Sequence, residues 1–449
     1  MKYESVLLLL KKNKLSIIFK KCFHVKGNEV AAVLWSWLYI FSLFLAYYLL
    51  RPVRDELGVA SGIKNLPWLF SATLIAMLAF NPLFSWAVRK WQRETFIRIT
   101  YRFFMLHLLI FMLVLSLTSS EQQVWAGRAF FIWMSVFNLF VVSVFWSFVV
   151  DVFNSEQGKR LFGLLSTGAT LGGISGSLIT FSAVELTGRN FLFGLAIVLL
   201  EITVFASRKL ASTSSSFHSK TEGEEYHVPV GGGIFSGVTH TLRSPYLLCI
   251  ASFMLLYSMS STFLYFHQAS LAEASFSGSA ERIAFFATVD FWVNTLTLFV
   301  QIFLTASILG RLGVLLTLSI LPTVSILSFG ALAASPGIAT FVVIQVLRRV
   351  INFGLTRPTR EVLFTVVSRE ERYKSKNFID TVVYRGGDQI GSWSWLALSS
   401  LGLGITGIAL LSIPLSVIWL CISLYLGHQQ SRLQLISITS KTDHSRFQS

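Results

Sequence analysis

The chain has 449 residues, 53% of them hydrophobic and only 13% charged, with a mean hydropathy of +0.65. A soluble domain carries about 25% charged residues, so an ordinary soluble fold is excluded. The strand-period alternation of an outer-membrane barrel is absent, which leaves an all-α membrane protein. A net charge of +15 would point to nucleic acid in a soluble protein; here basic cytoplasmic loops account for it and no nucleic-acid partner is expected.

The N-terminal segment, 1–29, is basic. Its apolar core, Val6 to Leu10, is too short for a signal peptide, and Lys11, Lys12 and Lys14 follow without a cleavage-like site. Residues 5–23 fit either a basic interfacial helix or a frayed cytoplasmic tail. The first long apolar run, 30–50, then ends in LLRPVRDELG, Leu49 to Gly58. Ionisable side chains at mid-bilayer cost roughly 2.5–3.5 kcal/mol each on insertion scales, so a functional role is their default reading. On one helix Arg51, Arg54 and Asp55 lie at i, i+3 and i+4 and share a face. Pro52 cannot donate to the carbonyl of Tyr48, which permits a bend. From Val30 to Arg51 is about 32 Å of helix, a full hydrocarbon thickness, so Arg51 either snorkels to the outer surface or forms the outer half of an anion site or gate.

Further apolar runs follow at 66–88, 97–118, 127–150, 161–184 and 189–207. After a polar stretch come six more, at 245–266, 283–309, 312–333, 338–356, 377–401 and 404–426. About 12 transmembrane helices result, each needing about 20 residues. They form two six-helix bundles, 30–207 and 243–427. Residues 208–242, with their Ser, Glu and Gly runs, read as a cytoplasmic linker. Residues 428–449 read as a disordered, polar cytoplasmic tail. With both termini in the cytoplasm, the basic segments Arg89 to Arg98, Lys159-Arg160, Arg208-Lys209, Arg311 and Arg357 to Lys376 fall inside. The loops Ser119 to Ala126 and Gln268 to Ala280, poor in Lys and Arg, fall outside.

The fifth run contains GLLSTGATLGGISGS. Gly168, Gly172 and Gly176 lie on one face, where small residues let helices approach closely. No Lys-Ser/Thr follows in phosphate-loop spacing. Just before it, Asp151, Glu156, Lys159 and Arg160 form either a cytoplasmic gate of switchable salt bridges or an ordinary positive-inside loop. The loop after the tenth run occupies the equivalent place in a duplicated six-helix plan and carries Arg360, Glu361, Lys376 and Asp380. The pattern Arg-Pro-x-Arg-acid at 51–55 recurs at 357–361, but on the opposite side of the membrane.

Three runs of the second half carry polar stripes at i, i+4, i+7 and i+11. The eighth has Asp290, Asn294, Thr297 and Gln301. The tenth has Gln345, Arg349, Asn352 and Thr356. The eleventh has Thr381, Arg385, Asp388 and Ser392. One such stripe is explained by interhelical hydrogen bonding; three, with both signs of charge, favour a wet cavity. Arg348, Arg349 and Arg385 lie within runs, and a guanidinium is a planar fork suited to phosphate or carboxylate. The expected cargo is therefore a small anion, bound by Arg51, Arg54, Asp55, Asp290, Asn294, Arg349, Asn352, Arg385 and Asp388. Alternatively Arg385 pairs with Asp388 or Asp290 and neutralises both. Cys22, Cys249 and Cys421 have neither metal nor disulfide spacing. No nucleophile–base pair, metal cluster or cofactor motif appears, so neither an enzyme nor a cofactor is expected.

Twelve spans in two halves resemble the major facilitator architecture. The motifs go further. LLRPVRDELG resembles the Arg-Pro-Ile-Lys-Asp segment of the ATP/ADP antiporter family of plastids and intracellular bacteria. NSEQGKRLFGLLSTGATLG is similar to that family's Glu-Ala-Lys-Arg-Phe stretch before a Gly-rich helix. Thr359-Arg360-Glu361-Val362, then Ser375-Lys376 and Ile379-Asp380, is similar to its Thr-Lys-Glu-Met, Gly-Lys and Ile-Asp pattern. By this resemblance Arg51, Arg54, Asp55, Lys159, Arg160, Arg349, Arg360, Glu361, Lys376 and Asp380 match charged motif positions. Arg54 and Arg360 stand where the family typically has Lys. Asn352 and Arg357 stand where Lys and Asp are expected, so contacts there are expected to differ. The resemblance implies nucleotide exchange or uptake by alternating access across a bacterial inner membrane, by a monomer. Closure over a bound anion relieves repulsion between arginines, which favours exchange over leak. The alternative is a proton-coupled carrier or exporter of another solute, with Asp290, Asp380 and Asp388 as proton carriers.

Overall fold

The computed structural model describes residues 25–27, 29–91, 93–153, 155–214 and 236–446. The expected segment 1–29 therefore falls mostly outside the described residues, as does the middle of the expected linker. The described chain is helical nearly throughout. In order it forms α1 Val30–Ala60, α2 Leu66–Lys90, α3 Arg93–Leu117, α4 Ser120–Val152, α5 Ser155–Ser214, α6 Ser236–Arg243 and α7 Pro245–Ser275. These are followed by α8 Ser279–Phe303, α9 Thr305–Ala334, α10 Ile338–Ile351, α11 Arg357–Leu363, α12 Arg369–Phe378, α13 Tyr384–Ser400 and α14 Ile405–Arg446. Inside lipid every backbone polar group must be satisfied within the segment, which is why long apolar runs become helices.

Among the described residues ten helices are long and apolar enough to cross a membrane. Two of the twelve expected spans do not separate by that measure. The fifth and sixth are joined in α5, and the chain turns between them at Gly188, whose φ of 72° favours glycine. The eleventh, built from Ile379–Val383 and α13, carries Asp380, Arg385 and Asp388, which depress its hydropathy. Similarly the turn between the eighth and ninth spans falls at Gly313, φ 69°, rather than at the break between α8 and α9. Beyond 427 the structure differs from expectation: α14 continues as helix to Arg446.

Two compact units form. The first takes in Met1–Leu57, Ile75–Glu224 and Ile283–Phe291; the second takes in Gly58–Leu74, Glu225–Arg282 and Trp292–Ser449. In the first unit α5 lies directly on α1. A Cβ at Gly172 would sit 2.5 Å from the Phe41 carbonyl oxygen, and one at Gly176 would sit 2.7 Å from that of Leu45. The glycine stripe is thus a backbone-to-backbone contact. Behind it Tyr39 is fully buried; its hydroxyl lies 2.9 Å from that of Tyr101, which donates to the Val141 carbonyl. One face of α3 exposes Phe103, Leu106, Ile110, Leu113 and Leu117. A contiguous apolar face of that kind suits lipid rather than water.

The second unit uses the same solution. α13 lies on α7 through Gly387 and Gly391. Added Cβ atoms would meet the Leu255 carbonyl oxygen at 2.9 Å and the Met259 Cα at 3.1 Å. Its core packs Leu247, Phe253, Leu318, Leu321, Phe364 and Trp419. Two π-helical segments, Asn352–Thr356 and Ile379–Val383, interrupt the tenth and eleventh spans. Such bulges release carbonyls from the regular ladder and recur at functional sites. Here the freed carbonyls of Phe353 and Gly354 accept from Gln301 Nε2 at 3.2 Å and Thr305 Oγ1 at 2.7 Å.

Candidate substrate site and gates

In the first unit the charged end of α1 is held inside rather than drawn out. Arg51 Nη1 lies 3.4 Å from Asp290 Oδ1 on α8, with side-chain exposures of 23% and 3%. Its guanidinium also lies 5.7 Å from the centroid of the Tyr48 ring. Arg54 turns to its neighbour Asp55 instead: Nε and Nη2 lie 3.0 and 2.5 Å from the same Oδ1. Its other face stacks 4.8 Å from the Phe131 ring of α4. Glu56, beside them, is also buried. The i, i+3, i+4 pattern therefore places three charges together but does not predict which acid each arginine takes.

At the start of α1 and α5 a second cluster forms. Glu29 is buried and accepts from Arg160 Nη2 at 2.9 Å, Gln157 Nε2 at 3.0 Å and the Lys26 backbone N–H at 2.9 Å. Burial alone would raise the carboxyl's pKa; the bonds from Arg160, Lys26 and Gln157 outweigh that and leave it below the ordinary glutamate value. Sequence reasoning found Arg160 but did not pair it with Glu29, the residue before α1. Glu156 is exposed and 3.9 Å from Lys26. Asp151 is exposed at the end of α4. The Lys159 side chain lies outside the described ones.

The second unit brings together all four of its predicted gating residues. Arg360 Nη2 lies 3.0 Å from Asp380 Oδ1 and 3.8 Å from Glu361 Oε1, and Lys376 Nζ donates to Glu361 Oε2.

Deeper in the same unit lies the second candidate anion site. Asp388 is buried; its Oδ1 accepts from Ser258 Oγ at 2.5 Å and Thr262 Oγ1 at 3.2 Å, both on α7. Its Oδ2 lies 3.3 Å from Arg385 Nη1, one turn away. Arg385 is 36% exposed and its guanidinium is 5.8 Å from the Tyr384 ring. That ring lies 6.2 Å from Tyr257, whose hydroxyl accepts from Asn352 Nδ2 at 2.7 Å. Arg349 is partly buried three residues before Asn352. Of the expected set, Arg385, Asp388 and Asn352 are thus linked through Tyr384 and Tyr257. Asn294, on α8, has a buried Nδ2 with no hydrogen-bond partner among the described residues. Chemically, the cluster offers a guanidinium for an oxyanion beside two tyrosine faces suited to a flat ring.

The remaining stripe residues divide: Gln301 and Gln345 bond across helices, whereas the buried hydroxyls of Thr297 and Thr356 have no partner among the described residues. Gln345 donates to Gln268 at 2.9 Å, while Thr381 and Ser392 donate to carbonyls of their own helix. Arg348 is buried and donates to Ser325 and Ser260 at 2.8 and 2.6 Å, with Phe329 5.5 Å beneath it. Sequence reasoning missed Tyr257, Ser258, Thr262 and Tyr384. Hydroxyls and tyrosines are common in apolar helices, and only the close α7–α13 crossing singles these out. It also missed the contact between the start of α2 and α13. There Ser71 Oγ donates to Gln389 Oε1 at 2.8 Å, and Trp393 Nε1 donates to Ser71 at 3.1 Å.

This helical arrangement is a major facilitator-like fold. The chain superposes on a bacterial homologue of the iron transporter ferroportin in its inward-facing state, with a TM-score of 0.61, 12% identity and coverage of 90% of this chain and 98% of that one. An auto-inhibited peptide transporter of the POT family gives 0.60, 14%, 89% and 96%. A nucleoside transporter, NupG, gives 0.51, 13%, 91% and 99%. At these identities the likeness is one of fold. The sequence relation is to a narrower group. Over 304 residues the chain is 22% identical to ADP,ATP carrier protein 1 of Chlamydia muridarum, and equally to that of Chlamydia trachomatis serovar D. The match takes in 60% of this chain, and the chain spans 58% of the length of those relatives. No protein-family profile matches the chain.

Proposed function

We propose that the chain is a secondary transporter that works by alternating access and exchanges or imports nucleotides, or a closely related phosphorylated anion, across a bacterial inner membrane. One observation carries the reading. The chain is a distant relative of ADP,ATP carriers, and its matching charged positions Arg51, Arg54 and Arg360 are paired with acids inside or at the ends of spans. Arg51, Arg54, Arg349 and Arg385 would bind the phosphates. Asp55, Asp290 and Asp388 would hold those arginines when no anion is bound. Asn294 and Asn352 would complete the site. Both termini would be cytoplasmic, 30–207 and 243–427 would form the two halves, and the chain would act as a monomer. The Glu29–Arg160 and Arg360–Asp380 pairs would then lie on the cytoplasmic side and act as gates, with Glu361 and Lys376.

The test is uptake into liposomes. Labelled ATP or ADP should enter only when unlabelled nucleotide is loaded inside, and Arg349→Ala or Arg385→Ala should reduce that uptake strongly. Uptake indifferent to internal nucleotide would refute exchange. Full activity in both variants would refute the arginine site. A second reading, proton-coupled transport, is favoured by Asp290 and Asp388, which are buried within spans. Uptake driven by a pH gradient into empty liposomes would select it.

A further inference from the structure

We propose that Asp388 is a built-in counter-anion: it occupies Arg385 while the site is empty and yields it to an oxyanion of the substrate. The inference rests on the reading of Arg385 as a substrate-contacting cation. Three features of the cluster support it.

The two oxygens of Asp388 have different partners. Oδ1 takes two hydroxyls from α7, and Oδ2 takes Arg385. When Arg385 leaves, Oδ1 keeps its two hydroxyl donors and only Oδ2 gives up a partner, so the carboxylate stays hydrogen-bonded in place. Arg385 is also less enclosed. Its side chain is 36% exposed against 10% for Asp388, and its described contacts are Asp388 and the Tyr384 ring. The acid is held from two sides where the arginine is held from one. Gly387 and Gly391 bring α13 against the backbone of α7 on either side of it.

The corresponding crossing in the first unit sharpens the point. There Gly168, Gly172 and Gly176 of α5 meet Trp37, Phe41 and Leu45 of α1 with no acid interposed. Close helix packing therefore does not require a carboxylate. Asp388 sits in an interface that would pack without it, next to a partly exposed arginine. Charged and titratable groups facing it are Arg385 and Tyr384 on its own helix, with Tyr257 from α7 and Arg357 reaching Tyr384. Arg385 is the cation in hydrogen-bonding contact with it.

The role predicts competition. An anion that takes Arg385 must displace Asp388, so the empty-state pair weakens substrate binding. Purified full-length protein would be titrated with ATP, ADP, a hexose phosphate and a dicarboxylate. In Asp388→Asn the bound anion should bind about 3- to 5-fold tighter, the range of one partly exposed ion pair. Ser258→Ala combined with Thr262→Val should act the other way and weaken binding, because Asp388 then depends more on Arg385. Glu273→Gln removes an equal charge from the exposed end of α7 in the same unit and should not tighten binding. Unchanged affinity in Asp388→Asn, or equal tightening in Glu273→Gln, would overturn the proposal. If no nucleotide binds but another oxyanion does, and Asp388→Asn tightens it, the counter-anion role stands and the nucleotide reading falls. If no oxyanion binds the wild type, both fall.

Discussion

The Arg51–Asp290 pair allows the sharpest test of how charge is held in this protein. At 3.4 Å the gross Coulomb attraction is about 5 kcal/mol at an effective dielectric of 20. Desolvation offsets much of it, chiefly for Asp290, which is 3% exposed, and less for Arg51 at 23%. A net coupling of about 2 kcal/mol remains. Removing one partner should cost more than that, roughly 3 kcal/mol, because the other charge stays buried without it. Arg51→Ala and Asp290→Ala should each destabilise by about 3 kcal/mol, and the double variant should fall about 2 kcal/mol short of their sum. The exchanged pair Arg51→Asp with Asp290→Arg should recover part of the loss. The assay is reversible unfolding in mixed micelles, with a transport measurement on the same samples. Strict additivity of the two single variants would refute the pairing, and with it the reading that Arg51 is directed inward rather than snorkelling.

Other expectations are narrower. Gly172→Ala should destabilise by about 1–3 kcal/mol, because its Cβ meets the Phe41 carbonyl. Gly163→Ala on the same helix meets nothing within 4 Å and should stabilise by about 0.5–1 kcal/mol; thermal unfolding in detergent reads both, and equal signs would refute the α1–α5 contact. Glu29 has a depressed folded-state pKa, so its contribution is present above the unfolded value and is lost as pH falls through the folded one. The stability gap between wild type and Glu29→Gln should therefore be full at neutral pH and close below the ordinary glutamate range. A gap that widens with acid would contradict the Arg160 bond. His267 is fully buried, and neither ring nitrogen has a partner among the described residues. His267→Leu should raise the melting temperature, reflecting about 1–3 kcal/mol per unsatisfied group; a lower one would mean that the ring meets a partner in the working protein.

Much of the fold was legible because lipid imposes a single rule. Length and hydropathy locate a span without reference to its neighbours. Where the rule relaxes, the reading drifts. The eleventh span hides behind its own charges, and Gly188 and Gly313 turn the chain where hydropathy shows little. The helix through 446 could not be inferred from polarity alone, since a polar helix outside lipid leaves no hydropathy signal. The sites divide in the same way. Arg51, Arg54 and Arg385 announce themselves because a charge in an apolar run needs a reason. Partners on the same helix are legible too: Asp388 lies one turn from Arg385, and Asp55 shares the face of Arg54. Partners on other helices are not: Asp290 lies more than two hundred positions from Arg51, and Ser258 and Thr262 look like any small polar residue in a helix. Those pairings are decided by tertiary approach, which periodicity within one helix does not encode.

The pairs also change the reasoning about exchange. The sequence led to an empty state strained by repulsion between arginines. In the structure Arg51, Arg54 and Arg385 each face a carboxylate, so that repulsion is largely neutralised within each pair. On the proposed reading, exchange then needs a different cause. An entering anion would take the place of an internal carboxylate, and its affinity would be the difference between two ion pairs rather than the full strength of one. Such a site would bind weakly enough to release its cargo. Arg348 is the counter-example. It is equally charged and more deeply buried, but it is held by two serine hydroxyls and the Phe329 ring rather than by an acid. Among the described residues no carboxylate is paired with it, and its donors are directed at α7 and α9. Arg348 therefore belongs to the frame that orients the tenth span, and Arg348→Ala should lower stability more than it alters the choice among anions.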